Sequence, residues 1–359
     1  MPPAPVASND RAAAARRFRR IRARTRALFD LLDPAAYYER PISQRSPIVF
    51  YEGHLPVFAV NALLQEAMGQ PGIDAHLETI FARAQGNPAW PSREVVQAYA
   101  AEADRRLLDA IECAEVPALW TLLEYEEMQQ ETLANIWHEV PYQWKRKPEH
   151  YVTAPPRLRQ SPPPARVRIP AGVAVLGSDV QVDVPLFEID VFNVTNGEYL
   201  QFVEDTGAAA PHFWQRDGDR WLWRAMFEAI PFPSSWPVYV TWNEANAYAA
   251  WRGMRLMTEA EYEVVVSGFS RTDLTGNFDF RRWDPEPVGS HPEGASSAGV
   301  HDLVGNGWEW TCDVIDGQHR VLKGASPVTA RSLIRPGFRI GFRPDSPHVY
   351  ASFRCVCAL

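Results

Sequence analysis

Cysteine and long apolar runs are both scarce in this chain. Its 359 residues include four cysteines at scattered positions, Cys113, Cys312, Cys355 and Cys357. A disulfide-stabilised secreted domain would need a denser set, so we expect small buried thiols rather than a disulfide framework. No run of about 18 apolar residues occurs, as a membrane-spanning helix would need. The Pro/Ala-rich first ten residues do not resemble a signal peptide. We therefore expect a cytoplasmic protein.

The chain also lacks a large excess of charge of either sign. The formal net charge is −8 and the apolar content is ordinary, so composition indicates neither nucleic-acid binding nor disorder. By contrast, 31 prolines and 13 tryptophans indicate a loop-rich region packed around aromatic side chains. The chain is longer than the roughly 250–300 residues at which single cores stop growing, so two domains are expected.

The first predicted helix follows a flexible tail at residues 1–10. Within residues 11–32, Phe18, Ile21, Leu28 and Phe29 recur at helical spacing on one face. Arginines occupy the other faces. They fit the solvated surface of a bundle helix, and the alternative is contact with a nucleic acid or an anionic membrane. We favour the solvated surface and expect neither a nucleic-acid nor a membrane partner.

Three further helices are predicted in the first half. The second starts near Ile48, and the third is opened by Pro91 and runs to about Cys113. The fourth covers residues 119–140. Four long helices joined by loops predict an antiparallel four-helix bundle over residues 11–140.

The fourth helix carries the most informative stripe. The residues that recur every three or four positions are Leu122, Tyr125, Gln129, Leu133, Ile136 and Val140. This stripe predicts that the Gln129 amide is buried one turn from Tyr125, where it would need hydrogen-bond partners. Two positions four residues apart are also the spacing at which two histidines share a metal, although neither residue is histidine here.

Composition changes after residue 140. Residues 141–165 are rich in proline, which suits neither a helix nor a central strand, and they predict an inter-domain connector. From residue 166 to 359, short apolar runs alternate with turn residues, and two short helices interrupt them at 196–205 and 243–252. This pattern predicts a compact α+β domain held together by aromatic packing.

Several stretches of residues 165–359 resemble a single family. They are RLMTEAEYE at 255–263, GVHDLVGNGWEWT at 299–311, RVLKGAS at 320–326 and ASFR at 351–354. These stretches are similar to the formylglycine-generating-enzyme (sulfatase-modifying factor) family, which implies a C-type-lectin-like fold. That fold hosts several activities, so the resemblance alone does not give the chemistry.

The first half narrows the resemblance. The stretch SPIVFYEGH at 46–54, followed by the fourth helix, resembles the DinB-like bundle that precedes this fold in the ergothioneine-synthase family. That family includes the sulfoxide synthases and the related selenoneine and ovothiol enzymes. Its members join a thiol or selenol to the imidazole of histidine betaine or histidine, using O2 at a mononuclear iron. The resemblance implies a DinB-like bundle, a C-type-lectin-like second domain, and a small-molecule substrate of the histidine/betaine or thiol type.

The family's iron is held by three histidines, of which this chain retains one. His54 matches the first. The pair Gln130-Glu131 matches the end of the motif that carries the other two, which places Tyr125 and Gln129 at the remaining ligand positions. An amide is a poor iron ligand, and a tyrosine leaves no histidine–carboxylate set to hold Fe(II). The candidate catalytic residues are therefore His54, Tyr125 and Gln129, with His54 as the one surviving iron ligand.

Other parts of the family's site also differ. Residues 326–334 lack the two cysteines of the formylglycine-generating branch, so that activity is not expected. The segment that contributes substrate contacts in sulfoxide synthases aligns with residues 338–342, where Ile340 and Gly341 replace an asparagine and an aromatic residue. The candidate substrate contacts that remain are Arg339, Phe342 and Trp308.

Two further residue pairs have alternative interpretations. Asn306 and Glu309 lie in a motif whose oxygen donors bind calcium in some relatives, so a structural Ca²⁺ is the alternative to a purely structural role, which we favour. Cys355 and Cys357 are two residues apart on a predicted strand and would face the same side. Packing is the simpler interpretation for them, and a redox or metal-binding pair is the alternative.

Three functions remain open. The first is an ergothioneine-synthase-like protein that forms a C–S or C–Se bond, or does related oxidative chemistry, with a rebuilt or absent metal centre. In it, His54 and Tyr125 would transfer protons and Gln129 would orient substrate or water. The second is a catalytically degenerate relative that binds a small molecule or a partner protein. The third is a working iron oxygenase whose ligands do not align.

Overall fold

The computed structural model describes residues 11–83, 88–113, 116–152, 165–177, 179–268 and 274–358. Its internal contacts divide the chain into two compact units, with the division between Glu149 and His150. The predicted tail at 1–10 and residues 153–164 of the predicted connector lie outside the described residues. Within the described ranges, no helix is both long and apolar enough to cross a bilayer.

The first unit is helical. Its helices are α1 (Arg11–Asp30), α2 (Ile48–Ala59), α3 (Ala75–Ala82), α4 (Arg93–Ile111) and α5 (Val116–Glu139). Helix α2 runs directly into a π-helical segment, Val60–Ala67, and short 3₁₀ turns lie at Pro34–Ala36 and Tyr142–Trp144. Helix α1 packs on α4 and α5, and α2 packs on α3, α4 and α5. The four predicted helices are present, and α3 is an addition.

Helix α3 was missed because eight residues give too little periodicity to detect. Its start is marked instead by Asp74, whose side chain accepts hydrogen bonds from the backbone N–H groups of His76 and Leu77. This N-cap satisfies donors that the helix itself leaves unpaired. A cap of this kind is the signal in the sequence that could have located the helix.

The apolar face predicted for α1 is the one that packs into the bundle. Phe18, Ile21, Leu28 and Phe29 are all buried. Phe29 contacts the Trp137 ring of α5 edge to face at 5.2 Å, and Trp137 donates its indole N–H to the carbonyl of Leu28 at 2.8 Å. The α1–α5 contact therefore combines apolar burial with a satisfied polar group.

The stripe predicted for α5 is wrong in one respect. Gln129 and Tyr125 are only partly buried, whereas Gln130 and Glu126, on the neighbouring face, are buried. Gln130 donates to the Ile21 carbonyl and to the Thr25 hydroxyl, both at 3.0 Å. Apolar spacing could not reveal this face, because its buried residues are polar and are paired with side chains of other helices.

Part of the predicted connector belongs to the first unit. Trp144 accepts a hydrogen bond from the Asp33 N–H at 2.8 Å through its carbonyl, and Arg146 donates its N–H to the Leu31 carbonyl at 2.7 Å. The chain beyond α5 thus pairs with the segment that follows α1. Proline at 141 does not prevent this, because the pairing starts three residues later.

The second unit is built from short strands. They are β1 (Arg166–Ile169), β2 (Gly172–Leu176), β3 (Val180–Val184), β4 (Phe187–Asp190), β5 (Trp214–Asp217), β6 (Arg220–Arg224), β7 (Ala229–Pro231), β8 (Arg255–Leu256), β9 (Gly307–Ile315), β10 (His319–Ala325), β11 (Ile340–Phe342), β12 (Ala351–Ser352) and β13 (Cys355–Ala358). One sheet has the order β1-β4-β13-β8, and a second has β11-β10-β9-β12, with β12 parallel to β9. Strands β2-β3 and β5-β6-β7 form smaller sheets.

Three short helices accompany these strands: α6 (Asn196–Thr206), α7 (Trp242–Trp251) and α8 (Glu259–Val265). Each begins with a capping box, in which a threonine and a glutamate three residues later bond to each other's backbone N–H groups. Helix α8 was not predicted, although its capping residues Thr258 and Glu261 lie in the RLMTEAEYE stretch that was identified from the sequence. The predicted fold class, a helical bundle followed by an α+β domain, is confirmed.

The cysteines behave differently from one another. All four are free thiols. Cys355 is buried on β13, where burial raises the pKa of its thiol above the ordinary value. Cys312 and Cys357 are half-buried, and Cys113 is exposed because it lies in the turn after α4. The expectation of small buried thiols is therefore wrong for Cys113.

Candidate functional site

His54 and Tyr125 form the centre of the candidate site in the first unit. His54, on α2, lies between two hydrogen-bond partners. Its Nδ1 is 2.7 Å from the Phe81 carbonyl oxygen, and its Nε2 is 2.7 Å from the Tyr125 hydroxyl on α5. A carbonyl can only accept, so Nδ1 carries the proton and Nε2 accepts from the tyrosine O–H. The two predicted residues thus meet directly.

Aromatic rings enclose this pair. Phe50 stacks on the His54 ring at 4.8 Å, and Phe58 stacks on the Tyr125 ring at 3.7 Å. Phe50 and Phe58 lie four residues before and after His54 on α2, so all three face the same side of the helix. The hydrogen bond between His54 and Tyr125 is therefore shielded by apolar side chains, which strengthens its electrostatics relative to water.

Burial favours the uncharged form of both residues. Burial lowers the pKa of His54, and a hydrogen bond to the Phe81 carbonyl partly opposes this. Burial also raises the pKa of Tyr125, with a smaller contribution from the nearby Tyr51 hydroxyl. At neutral pH the pair is thus a neutral imidazole that accepts from a protonated phenol.

Gln129 does not join this pair through a hydrogen bond. Its side chain is partly exposed, and among the described residues it makes no hydrogen bond. The prediction that Gln129 is a buried amide that needs partners is therefore wrong, since water can reach it. The structure brings together two of the three predicted catalytic residues and leaves the third one turn away.

The donors at this point do not fit a three-histidine iron centre. They comprise one imidazole, one phenol whose raised pKa keeps it protonated, and one neutral amide. A ferrous oxygenase site needs several histidine or carboxylate donors in a facial arrangement, and this set supplies one histidine. The nearby carboxylate of Glu126 is engaged elsewhere, because it accepts from Arg22 at 2.9 Å and from the Thr25 hydroxyl at 2.6 Å.

That buried network orients α5. Arg22 of α1 is 3% exposed and also donates to Asp104 of α4 at 2.7 Å. One guanidinium thus ties α1 to both α4 and α5. Because Glu126 follows Tyr125 directly, the network fixes the rotation of α5 that turns Tyr125 toward His54.

The predicted calcium residues in the second unit are engaged by protein partners. Both carboxylate oxygens of Glu309 accept from the Arg354 guanidinium, at 2.6 and 2.7 Å, and both side chains are fully buried. The Asn306 side-chain oxygen accepts from Asn277 and from the Glu286 backbone N–H, while its NH₂ donates to the Glu286 carbonyl. These protein partners favour the structural role over the calcium alternative.

The glycines on either side of Asn306 explain why few residue types fit these positions of the 299–311 stretch. Gly305 has φ +91°, and a Cβ there would lie 2.6 Å from the Asn277 carbonyl oxygen. Gly307 has φ +148°, and its Cβ would lie 2.8 Å from the Tyr239 ring. Only glycine fits both constraints. The motif therefore specifies packing rather than chemistry.

The predicted substrate contacts have different surroundings in the second unit. Trp308 is 1% exposed on β9, so its prediction as a substrate contact is corrected to a core residue. Arg339 forms an ion pair with Glu259 of α8. Phe342 is half-buried on β11, opposite Arg320 of β10.

A cleft that the sequence did not reveal lies beside Phe338. The space between its walls, open solvent included, is about 470 Å³, and its lining includes Tyr262, Glu263, Lys323 and Phe338. Lys323 is 1% exposed, and its Nζ is 2.6 Å from the Glu263 carboxylate. A buried lysine of this kind needs a carboxylate partner. The partner lies in the RLMTEAEYE stretch, which was identified only as a fold signature.

Comparison with known proteins bears on both units. The profile of the sulfatase-modifying factor enzyme 1-like domain matches residues 151–359, and that of the DinB superfamily matches residues 17–140. The hercynine oxygenase of Mycobacterium tuberculosis is 31% identical over 224 residues, covering 48% of this chain and 53% of that protein. The inactive C-alpha-formylglycine-generating enzyme 2 of Mus musculus is 30% identical over 278 residues, covering 56% and 89%.

Among solved structures, PvdO from Pseudomonas aeruginosa is similar with a TM-score of 0.43 and 22% identity, covering 54% of this chain and 94% of that one. The chain spans about half the length of the curated hercynine oxygenase from M. tuberculosis. The first profile covers more than half of this chain. The chain therefore belongs to the sulfatase-modifying factor enzyme 1-like family, and a DinB-superfamily domain precedes that domain in it.

Proposed function

We propose that this chain is an ergothioneine-synthase-like protein that acts on a histidine- or thiol/selenol-derived small molecule without the three-histidine iron centre. One observation carries the proposal: the 2.7 Å hydrogen bond between His54 Nε2 and the Tyr125 hydroxyl. The resemblance aligns these residues with two of the family's three ligand positions, and here they are hydrogen-bonded to each other. The similarity to a hercynine oxygenase supports the substrate class.

The pair is suited to proton transfer. A substrate thiol that approaches Tyr125 gives its proton to the phenol oxygen as the phenol proton passes to His54 Nε2. The products are a thiolate and an imidazolium, and Nδ1–H stays on the Phe81 carbonyl throughout. Joining sulfur to an imidazole carbon is in addition a two-electron oxidation. Neither residue accepts those electrons, so the pair is assigned proton transfer alone.

Ligand binding is the first test. Thermal-shift and NMR titrations of the full chain would use histidine betaine, histidine, cysteine and glutathione. We expect at least one of them to stabilise the protein, and we expect Tyr125→Phe to weaken the binding of that ligand. Tyr38→Phe is the matched control, because Tyr38 is an exposed tyrosine of the same unit. No shift with any of the four compounds would count against the proposal.

Metal analysis tests the loss of the iron centre. The protein is purified from cells supplied with iron, and its Fe(II)–NO adduct is sought by EPR. We expect iron well below one equivalent and no nitrosyl signal. Stoichiometric iron with a signal that disappears in His54→Ala would instead support a working oxygenase.

The second candidate function is binding without catalysis. It is favoured by the ion pair between Arg339 and Glu259. Arg339 lies in the segment 338–342 that was expected to contact substrate, and its guanidinium is already occupied by this partner. Incubation with O2, a thiol and histidine betaine, followed by mass spectrometry, distinguishes the two. A C–S product formed by the wild type and lost in Tyr125→Phe supports catalysis, and tight binding with no product supports the binding protein.

A further inference from the structure

Two histidines from distant parts of the sequence lie together in the second unit. The His212 and His348 rings are 4.6 Å apart at 86°, and each offers a ring nitrogen within 4.8 Å of the other. Both side chains are half-buried. Sequence reasoning missed this pair because 136 residues separate its members. We propose that His212 and His348 form a binding site for a transition-metal dication of the zinc and copper type.

The backbone beside each histidine is fixed, which favours such a site. Phe213, next to His212, is fully buried, and its carbonyl accepts from the Arg224 N–H at 2.8 Å. Tyr350, two residues after His348, is 2% exposed, and its carbonyl accepts from the Trp308 N–H at 2.9 Å. Both attachment points are therefore anchored to strands.

An aromatic cluster joins these two anchors. The Phe213 ring contacts the Tyr350 ring at 5.9 Å, and each of them also contacts Tyr239, at 5.7 Å. The cluster holds the two chain segments at a constant separation. Preorganised ligands lose little conformational entropy when they bind an ion, so less of the binding energy is spent on ordering them.

The donor type selects the ion. Neutral imidazole suits Zn²⁺, Cu²⁺ and Ni²⁺, with copper the strongest in the ordinary affinity series, whereas Mg²⁺ and Ca²⁺ prefer oxygen. Two imidazoles leave coordination positions for water or another oxygen donor. The ligands must be deprotonated to bind, so affinity falls as the pH drops below the ordinary imidazole pKa of about 6.5.

The test uses this chain, free of any affinity tag, titrated with Zn²⁺ and, separately, with Cu²⁺. We expect one equivalent of Zn²⁺ to bind at pH 7.5 and to be lost at pH 5. Affinity should fall tenfold or more in His212→Gln and in His348→Gln. It should be unchanged in His319→Gln, because His319 is likewise a half-buried histidine of the second unit and hydrogen-bonds to Asp316 instead.

A spectroscopic readout keeps the test independent of how well the variants fold. The EPR spectrum of one equivalent of Cu²⁺ on wild-type protein should show hyperfine structure from two imidazole nitrogens. Wild-type zinc affinity that is matched by the His212→Gln/His348→Gln double variant would overturn the proposal. So would loss of binding in only one of the two single variants, or a copper spectrum without nitrogen hyperfine structure.

Discussion

His54 shows how one residue can keep its position while its chemistry changes. Burial lowers its pKa, whereas His291 of the second unit donates to Glu286 at 2.9 Å, and that hydrogen bond raises its pKa. An NMR titration of the ring protons should therefore place His54 below, and His291 above, the ordinary value of about 6.5. Tyr125→Phe removes a donor that favours neutral imidazole, so it should raise the pKa of His54.

The sign of the stability effect follows from these directions. A histidine with a depressed native pKa stabilises the fold above about pH 6.5, and this stability is lost as the pH falls toward the native pKa. His291 has the opposite effect, contributing stability at low pH that is lost as the pH rises through its native pKa. A His54 pKa above the ordinary value would contradict the tautomer and the hydrogen bond assigned here.

Glu309 is a second residue whose buried environment determines how much it contributes to the free energy of unfolding. Replacing it by glutamine leaves the fully buried Arg354 guanidinium without its paired carboxylate, and breaking such a pair costs about 3–5 kcal/mol. Glu188→Gln, which removes the partner of the largely exposed Arg168, should cost under about 1 kcal/mol. Urea unfolding followed by tryptophan fluorescence measures both variants. Equal, small losses would mean that the pair does not stabilise the second unit.

At the scale of elements, apolar spacing predicted the long helices but not which face of α5 is buried with polar groups. The core positions of α1 follow the spacing of Phe18, Ile21 and Leu28 closely. On α5 the rule fails because Glu126 and Gln130 are buried by pairing with side chains of α1. Such pairing depends on which helices become neighbours, and a single sequence does not state that. Predictions from periodicity are therefore safest where the buried face is entirely apolar.

Arg22 provides the test at this scale. Arg22→Met leaves Asp104 and Glu126 without their buried cation, so the first unit should lose about 3–5 kcal/mol. Hydrogen exchange resolved by peptide should show lower protection in α1, α4 and α5 together. The control, Arg105→Met, removes an exposed cation of α4 and should change little. Reduced protection confined to α1 would mean that the network does not join the three helices.

For the whole molecule, the motifs predicted the fold better than they predicted the site. The stretches at 255–263 and 299–311 identified the second domain correctly because each encodes local geometry, such as the positive φ of Gly305 and Gly307. The position of His54 opposite Tyr125 was also inferred, through the resemblance. The Phe81 carbonyl, the Arg22 network and the His212–His348 pair were not, since each depends on contacts between residues far apart in the sequence.

The decisive question for the whole chain is whether two substitutions alone separate it from an iron-binding ancestor. Because His54 Nε2 already faces position 125 at hydrogen-bonding distance, Tyr125→His with Gln129→His should create a three-histidine site that binds one Fe(II), detectable by the EPR signal of its NO adduct. The matched control, Glu124→His with Met128→His, has the same spacing on α5 but starts one residue earlier, where Met128 is exposed, and should bind no iron at this site. Iron binding by the first double variant must disappear when His54→Ala is added. If that variant binds none, α5 differs from its relatives in more than these two side chains.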